Sequence, residues 1–101
     1  MIKKEMTRAL VNNQAIVDGF ANLYSRWMDE RGYEDKKEYG KAMHSIVCNQ
    51  FKDANIKLAS TTTKPFGIKI MVDGSKVHLF IKRRGRYLVL CIKMVEVEVG
   101  V

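Results

Sequence analysis

From Phe66 onward the sequence changes period. Apolar residues fall at every second position, interrupted by two glycine-containing turns, Asp73-Gly74 and Arg83-Arg84-Gly85. Nothing else in the chain limits its fold so tightly. A period of two belongs to a strand with one face buried. Asp-Gly signals a type I′ hairpin turn, because that turn needs positive φ at both central residues. A two-residue loop there pairs Val72 with Ser75, Ile70 with Val77 and Ile68 with Leu79.

Arg83-Arg84-Gly85 suits a type I turn with Gly85 in the left-handed position of a G1 bulge. That choice pairs Lys82 with Arg86, Ile81 with Tyr87, Leu79 with Val89 and Val77 with Cys91. One face then carries Phe66, Ile68, Ile70, Val72, Val77, Leu79, Ile81, Tyr87, Val89 and Cys91, broken only by Ser75 and Lys93 at its ends. Two independent turn rules agree on that core face, so the sequence predicts an antiparallel meander with a third strand from Arg86 to about Val99. The opposite face carries Lys69, Met71, Lys76, His78, Phe80, Lys82 and Arg86, then Leu88, Leu90, Ile92 and Met94. The third strand is therefore expected to be buried on both faces, with a helix or a second subunit over Leu88 to Met94. The closing "VEVEVGV" alternates Val with Glu96 and Glu98, the pattern of a half-buried edge strand or of one that joins a partner's sheet.

Upstream the period is helical. Ile16, Phe20, Leu23 and Trp27 form one stripe, widened by Val17, Ala21, Tyr24 and Met28. Gly32 is a suitable stop. The start lies either at a Thr7 cap or after a break at "VNNQ". Asp35 followed by Glu38 fits a capping box for a second helix, whose apolar face is Tyr39, Met43, Ile46, Val47 and Phe51. The short connection between them predicts an antiparallel helical hairpin. "STTTKPFG" (Ser60 to Gly67) is the main predicted loop, with Pro65 pushing Lys64 to an extended conformation and a short strand at Ile56–Ala59 before it. The expected fold class is α+β, in one domain spanning 1–101: an N-terminal helical hairpin (about 5–54) packed on a three- or four-stranded antiparallel β-meander (about 56–99).

Charge is distributed unevenly. Residues 1–55 hold nine Lys/Arg against eight Asp/Glu, a net +1, whereas residues 56–101 hold nine against three, a net +6. Such asymmetry points to an anionic partner. No apolar run approaches the roughly 18 residues of a membrane span. "MIKKEMTRALVNN" has no apolar stretch after its lysines and so lacks the pattern of a secretory signal. The expectation is a cytoplasmic protein with no membrane partner, and with Cys48 and Cys91 reduced.

Catalytic and metal signatures are sparse. His44 and Cys48 stand at i, i+4, a spacing that can ligate zinc. His78 and Cys91, however, fall on opposite faces in the register above, and no Cys-x-x-Cys knuckle occurs. Neither metal nor cofactor is expected. The G-x-S-x-G, P-loop and H-E-x-x-H motifs are missing, and "KRRGRYLVL" does not match the aromatic octamer of the RRM. The helix–helix–sheet order resembles that of the small ribosome-dependent RNase toxins of the RelE type. That resemblance implies metal-independent RNA cleavage by residues of the types of Lys69, Arg83, Arg84, Arg86 and Tyr87. The strand that opens that family has no counterpart here, and the register above turns Tyr87 toward the core.

The expected function is non-enzymatic binding of RNA or DNA. Its candidate residues are Lys69, Lys76, His78, Phe80, Lys82, Arg83, Arg84 and Arg86. The cations would contact phosphates, and Phe80 with His78 would stack bases. The alternatives are an inhibitor or adaptor of the phage or mobile-element type that binds a host or defence protein, and a RelE-like RNase. A protein partner, or a homodimer, would use the C-terminal strand.

Overall fold

The computed structural model describes residues 4–29 and 36–95. It is an α+β fold in which three helices precede a four-stranded antiparallel sheet of order β1-β2-β3-β4. The helices pack on one face of the sheet, and both layers contribute to one hydrophobic cluster. Among the described residues no helix is long and apolar enough to cross a membrane.

The first helical region is two helices, α1 (Lys4–Asn12) and α2 (Gln14–Asp29). Of the two starts expected from sequence, the break at "VNNQ" is the one found. Asn13 makes it: its Oδ1 accepts the Ile16 N–H at 3.2 Å, the geometry of an N-cap. α2 buries Ile16, Phe20 and Trp27 along the predicted stripe, and α3 (Lys36–Gln50) buries Tyr39, Met43 and Val47. The predicted Gly32 stop and Asp35 cap lie outside the described residues.

β1 (Ile56–Thr63) is longer than the expected Ile56–Ala59. Ser60 to Thr63, which have loop-like composition, pair in register with Phe66 to Lys69 at the start of β2 (Phe66–Val72). The predicted loop shrinks to a two-residue turn whose Lys64–Pro65 peptide is cis. A β-bulge at Ala59 interrupts the ladder between Leu58 and Ser60. The β2–β3 hairpin has the predicted register, with Val72↔Ser75, Ile70↔Val77 and Ile68↔Leu79. Asp73 (φ 48°) and Gly74 (φ 83°) are both in the positive-φ region that a type I′ turn requires.

The register of β3 (Ser75–Arg84) against β4 (Tyr87–Val95) differs from expectation by three residues. Arg84 pairs with Tyr87, Ile81 with Leu90, Leu79 with Ile92 and Val77 with Met94. The loop is therefore Gly85-Arg86, with positive φ at Gly85 alone (61°), as in a type II′ turn. Gly85 serves either loop, and the two registers differ by three residues, an odd number that moves every β4 side chain to the other face. Composition decides between them. The observed register directs Leu88, Leu90 and Ile92 toward the helices and leaves Lys93 outside, whereas the slipped one would bury Lys93's face. Leu90 is buried, with Leu88 and Ile92 packed against the core, and Tyr87 is 75% exposed. β4 is thus covered on one face only, by α1 and α2. Glu96 onward lies outside the described residues.

Candidate nucleic-acid interface

The face of the sheet opposite the helices is built by alternation along each strand, interrupted on β1 by the bulge at Ala59. β2 contributes Gly67, Lys69 and Met71, and β3 contributes Lys76, His78, Phe80, Lys82 and Arg84. β1 adds Lys57, Ser60 and Thr62, and β4 adds Tyr87, Val89, Cys91 and Lys93. Of these only Gly67 is buried, and no described element lies over them. Not one is acidic, and the ammonium groups of Lys69, Lys76, Lys82 and Lys93 have no carboxylate partner among the described residues.

At the centre the His78 and Phe80 rings touch, with centroids 4.8 Å apart and planes tilted by 39°. Gly67, the cross-strand neighbour of Phe80, has to be glycine. A Cβ there would collide with the Leu79 carbonyl and stand 2.6 Å from Phe80 Cα. The missing side chain also lets Thr62 of β1 reach across β2 to His78 of β3.

That contact fixes the imidazole's tautomer. The Thr62 hydroxyl has one proton and donates it to the Pro65 carbonyl at 2.8 Å. Toward His78 Nε2, at 3.0 Å, it can only accept. Nε2 therefore carries the proton, and Nδ1 is the lone-pair nitrogen. Burial lowers the His78 pKa below its ordinary 6.5, and the charges of Lys69 and Lys93 lower it further. The ring is neutral at pH 7, flanked by cations.

Among the sequence-predicted residues, Lys69, Lys76, His78, Phe80, Lys82 and Arg84 share this face. Arg83 does not. It pairs with Leu88 and points to the helix side, where with Arg86 it lines a groove beside Tyr24, Met28 and Asp29 of α2. Sequence reasoning missed Tyr87, Lys93 and Thr62. The signal for the first two was the stronger apolarity of Leu88, Leu90 and Ile92, and for Thr62 it was the β-branched run at Thr61–Thr63. Tyr87, expected in the core, is an exposed neighbour of Arg84.

The four soft ligands are divided by the sheet. His78 and Cys91 share the open face, contrary to expectation, because of the three-residue shift of β4. His44 and Cys48 lie on the helix side, 3.3 Å apart. His44 Nε2 is 3.0 Å from the Ile56 carbonyl, which can only accept, so that nitrogen is a donor tying α3 to β1. Both cysteines are free thiols, and the described residues contain no group of three or more potential metal ligands. Comparison with known protein families, with curated proteins and with solved structures yields no match.

Proposed function

We propose that the chain binds single-stranded nucleic acid on the open face of its sheet. The observation that carries this reading is the Phe80–His78 ring pair, with His78 between Lys69 and Lys93, on a surface where the described residues supply no carboxylate. Ammonium groups suit phosphates, and a ring lying on a sheet suits an unstacked base. Lys76, Lys82 and Arg84 extend the cationic surface along β3. A neutral His78 adds a stacking surface without adding charge.

Titration of fluorescent single-stranded RNA and DNA at several salt concentrations tests this. Each stacked base is worth about 1–3 kcal/mol, so Phe80→Ala should weaken binding roughly 5- to 150-fold. Three phosphate contacts would give a slope of log K against log salt of about −2. A protein that binds neither RNA nor DNA at micromolar concentration and low salt sinks the proposal. The exposed Tyr87 phenol across from Arg84 favours a second reading, metal-independent RNA cleavage. RNA left at full length after incubation in a chelator would remove it.

A further inference from the structure

Three of the ladder's rungs line up across the sheet. Ser60 pairs with Lys69, Lys69 with His78, and His78 with Lys93, so these four side chains form one row perpendicular to the strands. At the usual inter-strand spacing the row is about 14 Å long. At its β1 end the surface does not stop. Ser60 is also on the rim of an open cleft of about 320 Å³ between α3 and the edge of β1. Lys36, Lys37 and Lys41 of α3 line that cleft, with Leu58 and Thr61. The bulge at Ala59 lies between Leu58, which packs against the core, and Ser60, which faces outward. Ser60 thereby belongs to both surfaces. Glu38 is the one carboxylate on α3, and it does not line the cleft.

We propose that this cleft is a second backbone-binding subsite for the same single strand. This rests on the nucleic-acid reading of the open face. The strand crosses the sheet along the Lys93–His78–Lys69–Ser60 row and passes over the β1 edge. There its phosphates meet the ammonium groups of Lys36, Lys37 and Lys41, while a sugar or base covers Leu58. The bound strand lies across the β-strands, not along β3 toward the Arg84-Gly85-Arg86 tip. Continuity is what selects this path. The row leads without a break into the cleft, whereas at the tip Arg83 and Arg86 turn to the helix side beside Asp29.

Length dependence tests the path. The triple variant Lys36→Gln/Lys37→Gln/Lys41→Gln changes side chains outside the hydrophobic cluster, and Trp27 fluorescence reports whether it folds. About four nucleotides, the low end of single-strand site sizes, fill the row. An oligonucleotide of that length should bind the variant as it binds the parent. One of about eight to ten should bind the variant more weakly, with a salt slope shallower by about 0.7 for each phosphate that is no longer neutralised. Equal weakening of both lengths would mean a general charge effect and overturn the inference. So would loss of the long-strand slope in Arg84→Gln/Arg86→Gln but not in the lysine variant. If the parent binds no single strand of either length, the underlying reading of the open face fails as well, which is a distinguishable result.

Discussion

Replacing Leu90 and Val89 in turn by alanine tests which face of β4 is buried. Leu90 is 6% exposed and stands across from Ile81, itself 5% exposed, under α1 and α2. Leu→Ala removes three carbons. At about 0.8 kcal/mol each, the lost transfer energy is roughly 2.4 kcal/mol. A residual cavity adds to this, and measured core losses reach about 5 kcal/mol. β4 is at the sheet edge, where the helices can settle into the space, so the lower half of that range applies, about 2–3 kcal/mol. For a domain of this size that is a fall in melting temperature of about 10–20 °C. Val89 is half-buried on the open face opposite Lys82, and its truncation should cost less than about 1 kcal/mol. Trp27, the single tryptophan, is buried against Phe66 with ring centroids 5.1 Å apart, so its fluorescence reports urea unfolding of both variants. A larger loss for Val89→Ala than for Leu90→Ala would refute the observed register. It would put Leu90 outside, return Tyr87 to the core and remove Lys93 from the row.

His78 makes both binding and stability depend on pH, in opposite directions. Bound phosphates counter the field of Lys69 and Lys93 and draw a proton onto the ring, so affinity should rise as pH falls below 6.5, and His78→Asn should flatten the profile. A pH-independent parent affinity would contradict this. In the free protein the folded pKa lies below the unfolded 6.5, so the unfolded chain takes up the proton first. Stability should fall as pH drops through 6.5 and level off below the folded pKa, an effect that urea midpoints of the parent and His78→Asn would separate. Gly67→Ala places a Cβ against the β3 backbone at Leu79 and Phe80, and should cost about 1–3 kcal/mol by forcing the strands apart. Parent-like stability in that variant would show that β2 and β3 do not approach as described.

What the sequence disclosed and what it hid follow from how each turn is encoded. Asp73-Gly74 admits one short loop, because two successive residues of left-handed preference fit type I′ and little else. Lys69, Lys76, His78, Phe80 and Lys82 sit on the strands flanking that turn, so their common face is legible in the sequence alone. Gly85 is ambiguous. It can be the last residue of a three-residue bulged loop or the first of a two-residue one, and each gives a passable apolar face on β4. The choice is made at a distance from the turn, by whether Lys93 or Ile92 lies against the helices, and a rule applied at the turn does not register that cost. β1 was hidden for another reason. Ser60 to Thr63 have the composition of a loop, and only pairing with β2 makes them a strand.

Both ambiguities bear on the candidate site, because its row takes Lys69 and His78 from the well-encoded hairpin and Ser60 and Lys93 from the two outer strands. The central pair is therefore fixed by local chemistry and the two ends by packing. Substitutions that disturb packing at a distance, such as Leu90→Ala on the helix side of β4, should shift the Lys93 end of the row before they shift its centre. The salt slope of a short strand should then become shallower while the penalty of Phe80→Ala persists. That order can be read by measuring both on a Leu90→Ala variant that is still folded.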